Sequence, residues 1–391
     1  MASVGVLGLP KKTKAAVRLG VIEQISSKNI ILRTLGKTGL KIPIVNMGVM
    51  NADNPELVRK SYEIGVRLFD TAASYQRGRN EEMVGKVLKD LNARDQAVIV
   101  TKVLVPSLRE RLGPDKQKTE FVKMAEGSLK RLKADYVDLI LLHDVSNIED
   151  VNNPGVREAM QILKEQKKAR FVGFSTHNNM AACLDEAAKT DFYDVLLVAF
   201  NYALSDDSKL YRSLSNAVSR GIGILAMKTQ CSQYWYRDDF VPNTKRRYYG
   251  KIMHTAVLKW VLQHDFIAAA VPGYTTFDQM EEDFSVAYDL TYNPEEKKFL
   301  EDSQVKLSLA YCRQCNSCLP TCPKGVNIPA LMRTHLYAAC YTNFYQARDT
   351  FDSIPKEKGI QVCAPCGSCQ ARCMHRINIA KRIDELKALY M

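Results

Sequence analysis

Between residues 43 and 290, short apolar runs alternate with longer amphipathic stretches, and no other feature of this chain limits its fold so strongly. The runs are "IPIVNMG" (42–48), "RLFDTA" (67–72), "AVIVTK" (97–102), "YVDLILLH" (136–143), "ARFVGFS" (169–175), "YDVLLVAFN" (193–201), "GIGILAMK" (221–228) and "IAAAVPG" (267–273). Most are nearly continuous apolar stretches, as in parallel strands covered on both faces. Helical periodicity marks segments between them, such as "NEEMVGKVLKDL" (80–91), "KTEFVKMAEGSLKRL" (118–132) and "NNMAACLDEAAK" (178–189). Eight β–α repeats in about 250 residues predict an α/β chain folded as a (β/α)8 TIM barrel. A doubly wound open sheet is the competing arrangement. It is disfavoured because no Gly-x-Gly-x-x-Gly follows the first run.

Two flanking segments complete this picture. "ILRTLGKTGLKIPI" reads as a hairpin turning at Gly36-Lys37-Thr38-Gly39. "NPEEKKFLED" carries a helix start, with Asn293 as cap, Pro294 at the first position and Glu296 three past the cap. The expected organisation is an N-terminal extension (1–30), the barrel (31–305) and a cysteine-rich domain (306–391).

The net charge is +12, but the basic residues are scattered, and the densest group, "TKRRYYGK" (244–251), is short. Neither a concentrated basic stripe nor a nucleic-acid reader motif is present, so no nucleic-acid partner is expected. A cofactor phosphate or an acidic redox protein would also suit such a charge. No apolar run is long enough to span a bilayer, so no membrane association is expected. The opening "ASVGVLGLP" is apolar but lacks the upstream basic residues of a secretory signal. The expected location is cytoplasmic, or exported after folding if that stretch is the remnant of a trimmed signal.

In a (β/α)8 barrel, reacting groups project from the C-terminal ends of the strands. Asp70 lies near the end of the second run with Tyr75 in the loop after it, Lys102 ends the third and His143 ends the fourth. Taken singly, each is as well explained by a structural ion pair or a satisfied core histidine. Together they can serve carbonyl reduction, which leaves an alkoxide in need of a proton. A free phenol, with a pKa of about 10, is a poor donor near neutrality. A neighbouring Lys102 ammonium is expected to lower the pKa of Tyr75, Asp70 to hold that ammonium, and His143 to orient the carbonyl oxygen.

On these residues, and on "RTLGKTGLKIPIVNMG", "FDTAASYQRGRNEEMVGKVL", "VIVTKV", "YVDLILLHD", "FVGFSTH" and "VPGYTTFDQMEED" in that order, the chain resembles the aldo-keto reductase family over about residues 31–300. The resemblance implies a nicotinamide-dependent oxidoreductase that interconverts a small-molecule carbonyl and an alcohol, with Asp70, Tyr75, Lys102 and His143 as catalytic tetrad. It implies cofactor contacts at Gly48, Val49, Met50, Ser175, Met227, Gly273, Thr275, Gln279, Glu282 and Asp283. Several positions depart from the family pattern. Thr176 stands where asparagine is common, Leu197 where glutamine is usual, and Met227 where an aromatic often stacks on the nicotinamide. Gly273 and Gln279 replace basic residues that many members place on the 2′-phosphate, so NADP and NAD both stay open. Substrate choice is expected to lie in the loop "TQCSQYWYRDDFVPNTKRRYYG" (229–250).

Beyond the barrel, "CRQCNSCLPTCPKGVNI" begins at Cys312 and returns fifty-one residues later as "CAPCGSCQARCMHRINI". Cys312, Cys315, Cys318 and Cys322 map onto Cys363, Cys366, Cys369 and Cys373, and the other three of the eleven cysteines are scattered. The first block has the C-x2-C-x2-C-x3-C-P spacing of bacterial-type ferredoxins, whose fourth cysteine ligates the other cluster. The second block has Met374 in place of the proline. Zinc is the competing metal, but zinc ribbons separate their C-x2-C pairs by longer gaps. The expectation is a ferredoxin-like domain with two [4Fe-4S] clusters. One would be held by Cys312, Cys315, Cys318 and Cys373, the other by Cys363, Cys366, Cys369 and Cys322. The clusters would be structural or would relay electrons, with a redox protein as a possible partner. Alternatively the clusters act alone, in electron transfer, and the barrel tetrad is vestigial.

Overall fold

The computed structural model describes residues 29–230, 252–302, 305, 311–363, 366 and 368–391. The expected substrate loop beyond Gln230, the basic group at 244–251 and the opening apolar stretch lie outside these residues.

A short antiparallel pair, β1 (Leu32–Thr34) and β2 (Lys41–Pro43), precedes eight parallel strands. These are β3 (Met47–Gly48), β4 (Leu68–Asp70), β5 (Val98–Val103), β6 (Val137–Val145), β7 (Ala169–Thr176), β8 (Val195–Ala199), β9 (Gly223–Met227) and β10 (Ala269–Ala270). Spatial order follows chain order from β3 to β10. The ring closes where Val45 bridges Ala270 in parallel, with Ala270 N–H donating to Ile44 O at 2.8 Å and Asn46 N–H to Ala270 O at 2.9 Å. Closure removes both sheet edges, and the strand interiors are buried as their composition requires.

The run 42–48 was expected as one strand, but it divides. Its first residues pair in the hairpin and its last two in the barrel. The hairpin lies against the start of β9: Lys37 N–H donates to Gly221 O at 2.6 Å. Gly36, at φ +50°, stands so close that a Cβ would meet Gly223 N at 2.3 Å.

Barrel helices include Pro55–Ile64, Arg79–Asp90, Pro114–Leu132 and Met180–Ala188. Pro294–Glu301 closes this part of the chain with a complete capping box between Asn293 and Glu296. One tight approach in the barrel wall makes a direct test. A Cβ on Gly173 in β7 would stand 1.7 Å from Val195 O of β8, a backbone atom that cannot move without breaking the ladder. We expect Gly173→Ala to cost at least about 3 kcal/mol, read as a fall in thermal midpoint.

The cysteine-rich part differs from the expected ferredoxin-like arrangement. Its described residues form helices Ile328–His335, Phe344–Asp352 and Ile379–Tyr390, a π-helical turn at Leu336–Cys340, and no β-strand among them. The repeat survives in the local structure: Asn327 caps the first of these helices and Asn378, its counterpart, caps the last. A separate apolar cluster holds this unit together, centred on Val326, Ile328, Leu331, Ile360, Ile379 and Leu386.

The unit sits over the C-terminal ends of the barrel strands. Arg333 donates two hydrogen bonds to Asp144, at 2.7 and 2.9 Å. Asn343 Nδ2 donates to Asn51 Oδ1 at 2.9 Å, and Arg313 pairs with Asp206 at 2.6 Å. An apolar seam from Ala256, Val257 and Phe299 to Leu336 and Cys340 runs beside these contacts.

Candidate active site

The strand ends bring Asp70, Lys102, Tyr75 and His143 together. Lys102 Nζ lies 2.7 Å from Asp70 Oδ1 and donates to Thr71 O at 2.6 Å, with both side chains buried. The same ammonium stands 4.7 Å from the centre of the Tyr75 ring. The Tyr75 and His143 rings meet edge to face, 5.8 Å between centroids. Tyr75 opens a tight turn in which Gln76, Arg77 and Gly78 all have left-handed backbone angles. Such a run is costly and sets the tyrosine at one fixed point on the rim.

Electrostatics correct one expectation. Burial raises the Tyr75 pKa well above its ordinary value, and the Asp70 carboxylate adds to the rise. The expected lowering by Lys102 does not prevail, because that charge is spent on Asp70 and Thr71. Tyr75 is therefore held as a neutral phenol, a proton donor. Burial also raises Asp70 and lowers Lys102, each opposed by the other's charge. Burial, reinforced by Lys102, lowers His143 to about 3, so its ring is neutral at any ordinary pH. His143 Nδ1 is buried with no hydrogen-bond partner among the described residues.

A pocket with a volume of about 100 Å³ opens beside these groups. Asp70, Tyr75 and His143 form one wall. Of the residues expected to contact a cofactor, Gly48, Met50, Met227, Gly273, Gln279 and Asp283 line the same space. Val49 is fully buried behind it. Ser175 Oγ accepts from Asp144 N–H at 3.0 Å and is off the pocket wall. Thr275 N–H donates to Gln279 Oε1 at 2.9 Å, and Glu282 lies 3.9 Å from His254 Nδ1.

Other wall residues escaped sequence reasoning. Asn51, His177 and Lys228 follow strand ends, a position that signals them in hindsight, whereas Thr229 and Gln230 open the loop expected to govern substrate choice. Tyr337, Tyr341 and Gln346 come from the cysteine-rich unit, and nothing in their local sequence points to the pocket. Asp144, next to His143, carries the docking pair. Burial acts to raise its pKa, but Arg333 and His177 outweigh this and hold it well below the usual carboxylate range.

Asp283 behaves in the opposite way: burial, partly opposed by a hydrogen bond from Gln230, pushes its pKa up to about 8. An unfolded aspartate releases its proton near pH 4, so between about pH 4 and 8 the folded state alone keeps it. Stability then falls as pH rises across that window. We expect Asp283→Asn to flatten this slope, as read from thermal midpoints at pH 5 and pH 8.

Among the described residues, no group of three or more His, Cys, Asp or Glu side chains is arranged so that it could hold a metal ion. The cysteines nevertheless associate across the repeat. Cys312 interacts with Cys373 and Cys318, and Cys318 with Cys373, Cys315 and Cys322. Cys363 interacts with Cys322, Cys369 and Cys366.

Residues 41–233 match the aldo/keto reductase family. This stretch is an aldo/keto reductase domain. The protein is accordingly an oxidoreductase of the aldo-keto reductase type, acting between carbonyl and alcohol. The chain is 26% identical over 292 residues to L-galactose dehydrogenase of Arabidopsis thaliana, an alignment covering 67% of this chain and 89% of that protein. It is 33% identical over 120 residues to the aldo-keto reductase YhdN of Bacillus subtilis, which covers 31% of this chain and 36% of that one. In fold it is similar to an aldo-keto reductase from Bacillus halodurans in its holo form, with a TM-score of 0.57 and 19% identity over 71% of this chain and 99% of the other. It is likewise similar to an aldo/keto reductase from Klebsiella pneumoniae solved with NADP and acetate, with a TM-score of 0.53 and 21% identity over 69% and 94%. No helix among the described residues is long and apolar enough to cross a membrane.

Proposed function

We propose that the protein reduces a small carbonyl compound, or oxidises the matching alcohol, with NADP(H) or NAD(H), and that its cysteine-rich unit carries two [4Fe-4S] clusters. The observation that carries the first part is the shared pocket. Neutral Tyr75 and neutral His143 face the same space as Gly48, Met50, Met227, Gly273, Gln279 and Asp283.

When bound, a nicotinamide would supply or accept the hydride. The rest falls to side chains of this chain. His143 hydrogen-bonds the carbonyl oxygen and fixes which face is open. Tyr75 delivers its proton to that oxygen as the alkoxide forms. Lys102, anchored by Asp70, stabilises the phenolate left behind, and its charge is strong there because the site is dry. Gly48 is required by the close approach of the neighbouring strand end, since a Cβ there would meet Val271 O at 2.7 Å, and it lines the pocket. Gln279 and Asp283 offer polar groups to the adenosine half. The NADP-bound solved relative favours that cofactor.

For the clusters, the donor chemistry fits. All eight cysteines of the two blocks are free thiols; Cys373 interacts with Cys312 and Cys318 of the first block, and Cys322 with Cys363 of the second as well as with Cys318 of its own. These cross-block interactions support the exchanged ligation of two-cluster ferredoxins as the arrangement proposed. When bound, such clusters pass single electrons, and an external redox protein would be their partner.

The test is anaerobic purification followed by iron and sulfide assay, a visible spectrum, and a screen of aldehydes with NADPH and NADH. We expect a broad visible band, close to eight irons and eight sulfides per chain for two clusters, and nicotinamide oxidation that depends on the aldehyde. Cys315→Ala should remove most of one cluster's iron. Zinc in place of iron would refute the cluster assignment, and no aldehyde-dependent oxidation would refute the reductase assignment.

A further inference from the structure

One part of the pocket wall is not made by the barrel. It is made by Tyr337, which belongs to the π-helical turn Leu336–Cys340 of the cysteine-rich unit. Single π turns in otherwise α-helical segments occur often at functional sites, because they re-aim one side chain. The turn is pinned on both sides. Arg333, one helical turn before it, is locked to Asp144, and Asn343, just after it, donates to Asn51 Oδ1 and to Met50 O.

Tyr337 is buried, and its hydroxyl oxygen accepts a hydrogen bond from Lys228 Nζ at 2.8 Å. Lys228 follows β9 in a left-handed backbone conformation, φ +56°, and its own carbonyl accepts from Asn201 Nδ2 at 3.1 Å. Its ammonium also lies 4.5 Å from the centre of the Tyr337 ring. The Tyr337 phenol proton has no acceptor among the described residues. A phenol whose oxygen already accepts from an ammonium is a stronger donor through its own O–H. Of the four tyrosines that line the pocket, Tyr75 serves proton delivery and the Tyr274 hydroxyl donates to Ser61 Oγ at 2.8 Å, while Tyr337 brings a further phenol from the cysteine-rich unit.

We propose that Tyr337, set by Lys228, is a specificity-determining residue that donates a hydrogen bond to a second oxygen of the substrate, so that the enzyme prefers hydroxylated carbonyl compounds to simple aldehydes of the same length. The inference rests on the reductase assignment for its kinetic readout. A site built around a buried hydrogen-bond donor discriminates strongly against analogues lacking the matching oxygen, since the donor is then left unpaired.

Glyceraldehyde and propanal are a matched pair, with three carbons each and two hydroxyls in one only. With wild-type protein in its complete form, kcat/KM should be at least about 10-fold higher for glyceraldehyde. Tyr337→Phe keeps the ring and removes the donor. It should lower kcat/KM for glyceraldehyde about 10- to 100-fold, mostly through KM, and leave propanal within about twofold. Tyr337→Gln, which restores a donor, should recover part of the preference. An equal fall for both aldehydes would show that Tyr337 only holds the two parts together, and no change for either would show that it touches neither. Both results overturn the proposal. If neither aldehyde is reduced, the reductase assignment fails separately. Ligand-observed NMR of glyceraldehyde binding then decides, and equal or absent binding in wild type and Tyr337→Phe overturns the proposal.

Discussion

Replacing Tyr75 with phenylalanine should reduce turnover by about 100- to 10,000-fold while nicotinamide affinity stays within about twofold. The ring remains to pack against His143, so the loss isolates the proton. Lys102→Met should fall in the same range for a different reason. It removes the charge that stabilises the phenolate and strands a buried Asp70. Single-turnover reduction rates beside cofactor fluorescence titration separate these effects from binding. If Tyr75→Phe keeps more than a tenth of the wild-type rate, the proton comes from elsewhere. His143, neutral and with a free ring nitrogen, is the next group to test.

Removing Arg333 should be the most destabilising single change in the docking surface, about 3–5 kcal/mol. Arg333→Met leaves the partly buried Asp144 beside His143 and His177 with a longer contact to Arg109, at 3.6 Å. The thermal midpoint should fall at pH 7. The pairing stabilises the fold wherever the unfolded aspartate is ionised, above about pH 4, and is lost as pH falls towards the depressed folded pKa. The gap between wild type and variant should therefore narrow in acid. Asp144→Leu on top of Arg333→Met should restore much of the loss, because no charge is then left unpaired. His143 should titrate higher in Arg333→Met, since a cation that suppresses its protonation has gone and the anion beside it remains. Histidine NMR titration reads that shift directly.

The barrel was legible because burial on both faces leaves a mark that needs no context. Runs such as "AVIVTK" and "YDVLLVAFN" have no polar side to be mistaken for a helix face. The split of 42–48 was not legible. A run that serves the hairpin with one end and the barrel with the other has the same apolar composition throughout. The tetrad was legible from its positions at strand ends, but not its protonation. Burial and the engagement of Lys102 by Asp70 are properties of the folded site. Ser175 matched a nicotinamide contact by position, yet its hydroxyl engages the Asp144 backbone. Tyr337 and Arg333 could not be read at all. Each lies in an ordinary helical stretch, and only docking brings them to Tyr75 and His143.

The crossing of the cysteines over the repeat has a consequence for the order in which this protein can be finished during synthesis. Cys322 leaves the ribosome about forty residues before Cys363, and Cys373 is the last cysteine of the sequence. With the ligation proposed above, neither set of four ligands would be complete until both blocks have emerged, and the first block would wait reduced until then. Because the same unit brings Tyr337 to the pocket and Arg333 to Asp144, the barrel can close early and still lack one wall. A nascent chain stopped at the end of the first block lacks Tyr337, Tyr341 and Gln346 and would be a barrel without a finished pocket.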